Sequence, residues 1–284
     1  MLKTILELSK IKITFAVMLT TITGYVLAAN EFNTDMIATV LGLFVLACGS
    51  AIINQYQEYK TDAVMERTSK RPIPSGRISP SGALLLGLGF SLLGSATILI
   101  NSGWLAMSLG LAALVWYNFI YTPLKKITPF AVIPGSVIGA LPPLVGWVAG
   151  GGEITDPRAL IMAFFFFIWQ VPHFWLLMLK YGQDYESAGY PSLHRFYSEN
   201  HIKRVTFLWT VSTAIAALML PLFNVVDTST ASYAIFILSF WLIFAFLNLL
   251  KLNAPSFKPM SYFMKINIYV LFIIIIITVD GFAR

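Results

Sequence analysis

Residues 36–62 read MIATVLGLFVLACGSAIINQYQEYKTD, an apolar run that continues without a break into a polar one. The hydrocarbon core of a bilayer is about 30 Å thick, and about 20 apolar residues in an α-helix cross it. The apolar part of this stretch has that length. Its polar part places an amide and two carboxylates where the helix would leave the membrane. The stretch therefore predicts a transmembrane helix with a polar site at one end.

Runs of similar length and apolarity recur along the chain. They lie at 11–29, 36–56, 81–100, 104–121, 130–149, 159–179, 205–223, 231–250 and 261–279. The first run is too long for a cleaved signal peptide. The longest polar stretches have only about 25 residues, which leaves no room for a soluble domain. The predicted fold class is all-α: a polytopic membrane helix bundle of nine transmembrane helices, in one domain over residues 1–284. The aromatic run 164–167 is expected to face lipid.

The composition supports a membrane protein. The chain is 57% hydrophobic and only 11% charged, whereas a soluble protein has roughly 25% charged residues. This excludes a soluble enzyme, a disordered chain and a nucleic-acid-binding domain, although the net charge is +6. The single cysteine, Cys48, excludes a disulfide framework and a thiolate metal site.

The distribution of Lys and Arg predicts the orientation. With the N-terminus in the cytoplasm, every Lys and Arg except Arg158 and Arg284 lies on the inner side, which is 17 of 19. Cytoplasmic loops carry such an excess of positive charge. We therefore expect a multi-pass protein of the cytoplasmic membrane, with the C-terminus outside and the polar site facing the cytoplasm. Its positive charge would meet anionic lipid, and no nucleic acid is implied.

The densest polar cluster begins at the inner end of the second run. Asn54, Glu58 and Asp62 are spaced i, i+4 and i+8, so they share one face of a helix. One amide and two carboxylates suit Mg²⁺, which prefers oxygen ligands and is usually shared with phosphates. Cations suited to phosphate follow at Arg67, Lys70 and Arg71. The cluster indicates a diphosphate site; the alternative is a helix end that is solvated by its charges.

A second polar patch surrounds the sixth run. His173 lies inside the apolar sequence, next to Pro172 and near Gln170. Its imidazole has three possible roles: a ligand to haem iron, a proton carrier, or a hydrogen-bond partner of Gln170 or a neighbouring helix. Further along, Lys180 and Asp184 reach the cytoplasmic boundary. Asp184 is either part of a second metal-binding face or an ordinary loop charge.

Two other runs carry unusual residues. The fourth ends in Tyr117, Tyr121 and Lys125, which form either a phosphate-facing wall or plain interface anchors. The fifth contains the breakers Pro134, Gly135, Gly139, Pro142, Pro143 and Gly146. So many breakers predict a kinked or closely packed helix, either lining a cavity or bent for packing alone.

These motifs resemble the UbiA superfamily of intramembrane prenyltransferases over most of the chain, from Lys10 to Asp280. The first signature is the run from Asn54 to Pro72, with Arg67, Thr68 and Arg71 in place. The details look like the branch that farnesylates haem, above all the run Gln170-Val-Pro-His173 and the run from Asp184 to Pro191.

The chain also departs from the superfamily pattern at two positions. Glu58 stands where many relatives have aspartate, and its longer side chain can still reach a metal. Ala188 occupies the position four after Asp184, where relatives usually have a second aspartate. This weakens the expectation of a symmetric site with two metals.

The resemblance implies an activity and a set of roles. Farnesyl diphosphate and haem B would be the substrates, and haem O the product. Mg²⁺ would be held by Asn54, Glu58, Asp62 and Asp184, and the diphosphate by Arg67, Arg71, Tyr121, Lys125 and Lys180. His173 and Gln170 would bind haem, and Tyr56, Tyr117 and Tyr121 would face the farnesyl cation. Further partners would be a haem A synthase or oxidase assembly factors.

The sequence alone leaves two other functions open. A prenyltransferase of the same fold acting on an aromatic or quinone precursor is the nearer one. A transporter or lipid-binding scaffold is more remote, because the polar cluster lies at one end of the predicted bundle, whereas transport sites usually lie near the membrane midplane.

Overall fold

The computed structural model describes residues 1–251 and 258–283, which form helices and no strands. Arg284, one of the two cations expected outside, is not among them. The helices are α1 (Leu2–Leu8), α2 (Ile11–Ala29), α3 (Thr34–Asp62), α4 (Pro80–Val115), α5 (Thr122–Leu124), α6 (Val132–Gly135), α7 (Val137–Ala149), α8 (Pro157–Ser187), α9 (Glu199–Leu222), α10 (Ser229–Phe246) and α11 (Pro259–Phe282). A π-helical turn, Trp116–Tyr121, joins α4 to α5.

Eight helical segments in the described residues are long and apolar enough to cross a membrane, and one of them is long enough to cross it twice. This segment, Pro80–Leu124, has 45 residues, about 67 Å if straight, or twice the bilayer core. It is broken at Gly103, whose φ of 78° and ψ of −177° are not helical. Gly94 and Gly110, on either side of the break, both lie against Leu46 of α3. The two halves therefore run in opposite directions, and the prediction of nine crossings is confirmed.

The fifth crossing is both kinked and closely packed. It consists of a 3₁₀ turn at Pro129–Ala131, then α6, then α7 after a break at Ser136. On α7, Gly146 lies against the carbonyl oxygen of Thr21 so closely that a Cβ atom would collide with it. Glycine is required there because the backbones of α2 and α7 touch.

One expectation about the sixth crossing is wrong. Phe164 is exposed, but Phe165 and Phe166 are completely buried in the main apolar core between α8 and its neighbours. An α-helix turns through a full circle in 3.6 residues, so four consecutive aromatic residues cannot share one lipid-facing side.

The connections bring the polar ends of several helices together. The junction of α1 and α2, the end of α3, the end of the fourth crossing and the segment after α8 make side-chain contacts at one end of the bundle. This common end holds the predicted site residues of α3.

Candidate active site

Asn54, Glu58 and Asp62 form a column along one face of α3. The three side chains are almost completely buried, with exposed fractions of 0%, 4% and 1%. Helical spacing gives them a common face, and the elements that cover the end of α3 remove them from water. Burial of carboxylates is costly unless they are paired, so the partners of these groups matter.

Lys10 is the partner of Asn54. Its Nζ donates to Asn54 Oδ1 at 2.6 Å and to the Tyr117 hydroxyl at 3.1 Å. The residue joins α1 to α2 in a left-handed conformation, with a φ of 48°. Burial, together with the nearby Arg71 guanidinium, lowers the pKa of Lys10 to about 7. Lys10 was not among the residues predicted for the site, and in the sequence it looks like any other cation before a first crossing.

Glu58 has two partners from distant parts of the chain. Lys125 Nζ donates to its Oε2 at 2.7 Å, and the Tyr190 hydroxyl donates to its Oε1 at 2.9 Å. Burial lowers the pKa of Lys125, but the Glu58 carboxylate and nearby tyrosines more than offset this, so the pKa is raised overall. Burial and the same carboxylate raise the pKa of Tyr190, which keeps its hydroxyl a donor. Tyr190 is a second contact that the sequence did not predict.

Asp62 is paired with Arg71. Arg71 Nη1 lies 2.8 Å from Oδ1 and 2.7 Å from Oδ2 of Asp62. The Thr68 hydroxyl donates to the Asp62 carbonyl oxygen at 2.9 Å, which closes the turn between them. The segment after α3 thus folds back over the end of its own helix.

The π-helical turn supplies the wall next to Asn54. The Asn54 amide donates to Thr122 Oγ1 at 2.8 Å, and Thr122 donates to the Tyr117 carbonyl oxygen at 2.8 Å. Turns of this kind are often found at functional sites, because the extra residue redirects side chains. Here Tyr117 contacts Asn54 and Lys125 contacts Glu58.

The column offers side-chain oxygens of the kind that Mg²⁺ prefers. The atoms of the column that could bind a metal are all oxygens. Mg²⁺ is commonly held by one or two carboxylates plus phosphate oxygens. Among the described residues, no group of three His, Cys, Asp or Glu side chains lies close enough to hold a metal. Each member of the column is instead contacted by a cation: Lys10, Lys125 or Arg71.

Four of the other predicted residues lie away from the column. Arg67 and Lys180 both place their charged groups over the ring of Tyr181. Arg67 Cζ and Lys180 Nζ lie 5.0 and 4.8 Å from the ring centroid. Asp184 is half-buried near the end of α8 and makes no ion pair with the described residues. Tyr56 packs in an apolar cluster with Tyr59, on another face of α3.

Aromatic rings connect the column to His173. Tyr117 stacks on Tyr121 with ring centres 5.9 Å apart, and Tyr121 lies 6.1 Å from Phe174. Phe174 in turn lies 5.4 Å from His173. The predicted diphosphate and haem regions are therefore joined by one wall of aromatic faces, which we call the aromatic wall: Tyr117, Tyr121, Phe174 and His173.

His173 is held from the last helix. Its Nδ1 lies 2.9 Å from Asn267 Oδ1 of α11, a contact between residues 94 positions apart. Gln170 packs against Gly139 of α7, where any side chain would collide with it. Asn267 was not predicted; an asparagine inside the last apolar run was the only signal for it.

Comparison with known proteins agrees with this architecture. Residues 17–269 match the model of the UbiA prenyltransferase family. The protoheme IX farnesyltransferase of Oleidesulfovibrio alaskensis is 33% identical over 290 residues, which covers 99% of this chain and 97% of that protein. The protein of the same name from Geobacter sulfurreducens is 36% identical over 217 residues, covering 75% and 78% of the two chains.

Solved structures of low identity share the fold. A digeranylgeranylglyceryl phosphate synthase superposes with a TM-score of 0.81 at 18% identity, over 100% of this chain and 99% of the other. A UbiA homologue from Archaeoglobus fulgidus, bound to GPP and Mg²⁺, superposes with a TM-score of 0.71 at 16% identity, over 99% and 100%. The family model and the sequence relatives establish the assignment: this chain is a polytopic membrane protein that belongs to the UbiA prenyltransferase family.

Proposed function

We propose that the protein transfers a farnesyl group from farnesyl diphosphate to a vinyl group of haem B. The new bond joins C1 of the farnesyl group to the vinyl carbon, and diphosphate leaves. Water adds to the resulting cation beside the porphyrin ring and loses a proton, so that the product is the hydroxyethylfarnesyl haem, haem O. The observation that carries the proposal is a buried column of oxygen ligands, surrounded by cations and joined to His173 by the aromatic wall.

The diphosphate would bind where the cations already converge. Lys10, Lys125 and Arg71 each contact one member of the column, and each can move from that oxygen to a diphosphate oxygen. Arg67 and Lys180 stand further out, beside Tyr181, and would contact the diphosphate only at its outer edge. Fixed cations aimed at a leaving group stabilise the charge that develops as the C–O bond breaks.

The residues also fit Mg²⁺, which the Archaeoglobus relative binds together with GPP. Asn54, Glu58 and Asp62 would hold it, with Asp184 completing the set once substrate is bound. When bound, Mg²⁺ supplies positive charge that neutralises the diphosphate and improves it as a leaving group.

The aromatic wall would guide the farnesyl cation to its acceptor. The faces of Tyr117 and Tyr121 stabilise positive charge by cation–π attraction. Both residues are partly buried, and a dry cavity around them would keep water from quenching the cation before the vinyl group reacts. His173 would bind the haem iron, and Gln170, one turn earlier on α8, would contact the porphyrin.

We infer the orientation from the distribution of Lys and Arg. With the column at the inner leaflet, farnesyl diphosphate would place its head at the cytoplasmic side of the cytoplasmic membrane and its tail among the apolar helices. The product would pass to a haem A synthase or to oxidase assembly factors in the same membrane.

The test uses purified protein in lipid nanodiscs. Farnesyl diphosphate and Mg²⁺ are supplied with haem B in one reaction and 4-hydroxybenzoate in another, and the products are identified by mass spectrometry. We expect haem to gain a farnesyl group and a hydroxyl group, and chelation of Mg²⁺ to stop the reaction. If 4-hydroxybenzoate is prenylated and haem is unchanged, the acceptor is an aromatic acid and not haem. If neither compound is prenylated, the protein is not a transferase for these acceptors.

A further inference from the structure

The ring of His173 is enclosed on several sides. The rings of Trp169, Phe174 and Phe263 lie 5.1, 5.4 and 4.6 Å from it. Its one hydrogen bond within the described part of the chain is the contact between Nδ1 and Asn267 Oδ1 at 2.9 Å. The imidazole is thus fixed in position, and its Nε2 atom has no hydrogen-bond partner among the residues that the structure describes.

Hydrogen bonding by Asn267 determines which nitrogen of His173 carries the proton. The Asn267 amide nitrogen donates to the carbonyl oxygen of Phe263 at 2.6 Å, one turn earlier on α11. A backbone carbonyl only accepts, so the NH₂ group must face Phe263 and the amide oxygen must face His173. That oxygen also only accepts. The proton of the neutral imidazole is therefore on Nδ1, and Nε2 has a free lone pair.

We propose that Asn267 is a positioning residue that holds His173 as the Nδ1–H tautomer and presents Nε2 to the iron of haem B. This inference rests on the proposed function, in which haem is the acceptor. Histidines that bind a metal through one nitrogen usually donate the other N–H to an oxygen, which fixes the ring and strengthens the ligand. A carbonyl oxygen from another helix is such a partner, and it couples α11 to the substrate site on α8.

The size of the effect follows from comparable metal sites. Loss of the hydrogen-bond partner of a metal-binding histidine lowers metal affinity by roughly 10–100-fold. We expect Asn267→Leu to weaken haem B binding by a factor in that range. Asn267→Asp keeps an acceptor oxygen toward Nδ1 and adds negative charge, so it should retain binding and strengthen the iron–histidine bond.

The matched control is Thr278→Val. Thr278 also lies on α11 and also makes a hydrogen bond to another helix, 2.8 Å between its hydroxyl and that of Thr23 on α2. It does not contact His173. A general loosening of α11 would affect both variants, whereas loss of tautomer control would affect only Asn267→Leu.

The experiment measures haem B affinity by absorption titration and the iron–histidine stretching frequency of the ferrous complex by resonance Raman spectroscopy. We expect weaker binding and a lowered frequency in Asn267→Leu, a raised frequency in Asn267→Asp, and wild-type values in Thr278→Val. If Asn267→Leu does not accumulate in the membrane, the frequency of Asn267→Asp decides: a raised value supports the inference and a wild-type value overturns it.

The variant His173→Ala distinguishes iron binding by His173 from the positioning role of Asn267. If His173→Ala changes the haem spectrum but both Asn267 variants match the wild type, the role of Asn267 is overturned and the proposed function stands. If His173→Ala leaves the haem spectrum unchanged, His173 does not bind iron and the inference falls with that assignment. Failure of farnesyl transfer to haem in the nanodisc assay would instead overturn the proposed function itself.

Discussion

The two polar segments of the candidate site differ in how far they are organised. Residues 54–72 place an amide and two carboxylates in a buried column, and each has a cation within 2.6–2.8 Å. In residues 180–191, Lys180 and Asp184 make no ion pair with the described residues, and only Tyr190 reaches the column. The amide and both carboxylates of the first segment are paired, whereas the second segment contacts the column only through Tyr190.

Burial explains the difference. An unpaired charge in a protein interior costs several kcal/mol, so the buried carboxylates of α3 must have partners for the protein to fold. Asp184 remains accessible to water, and exposed ion pairs contribute about 0–1 kcal/mol, so nothing forces it to pair. We therefore expect the first segment to affect both folding and catalysis, and the second to affect catalysis alone.

The largest expected effect is on the column. Asp62→Asn and Asn54→Ala should each lower farnesyl transfer by about 10²–10³-fold, because each removes a group that helps to stabilise the leaving diphosphate. Steady-state transfer rates in nanodiscs measure this. Asp35→Asn is the control, since Asp35 is an exposed carboxylate at the opposite end of α3. Near-normal activity in either column variant would remove the metal assignment.

The second prediction separates the two segments. Asp184→Asn should lower transfer at least tenfold, but it should leave the thermal stability of the substrate-free protein unchanged, because no partner is lost. Glu58→Gln should lower both, with a stability loss of about 1–3 kcal/mol, since it weakens the hydrogen bonds from Lys125 and Tyr190. Melting curves in detergent and transfer assays on the same samples check this. An active Asp184→Asn protein would mean that Asp184 is an ordinary loop charge.

The sequence predicts those features of the site that depend on residues close together in the chain. Nine crossings follow from apolar run length, and the column follows from a spacing of four on one helix. The partners depend on tertiary contacts: Lys10 is 44 positions from Asn54, and Tyr190 is 132 positions from Glu58. Hydropathy does not reveal the break between α1 and α2 that turns Lys10 inward, and no single-sequence pattern relates His173 to Asn267.

The third prediction tests Lys10, one of the site residues that the sequence did not predict. Lys10→Met should weaken inorganic pyrophosphate binding and lower transfer by roughly 10–100-fold, since a hydrogen bond to a charged group contributes about 1.5–3 kcal/mol. Lys12→Met is a close control, because Lys12 lies two residues away and is exposed. Isothermal titration with pyrophosphate and Mg²⁺ measures the affinity. Equal losses in the two variants would point to general surface charge and would remove Lys10 from the site.

The smallest expected effect is a pH dependence of the same binding step. Burial and Arg71 lower the pKa of Lys10 to about 7, so the free site loses this charge as the pH rises through that value. A bound diphosphate favours the charged amine and raises its pKa. Binding above pH 7 therefore takes up a proton, and affinity should fall with increasing pH by at most about tenfold per unit. Pyrophosphate titrates as well, but Lys10→Arg stays charged throughout, so only the difference between the wild type and this variant reports on Lys10. If the two proteins show the same pH profile, Lys10 does not change its charge during binding. Diphosphate then binds to a site in which Lys10, Lys125 and Arg71 are already protonated.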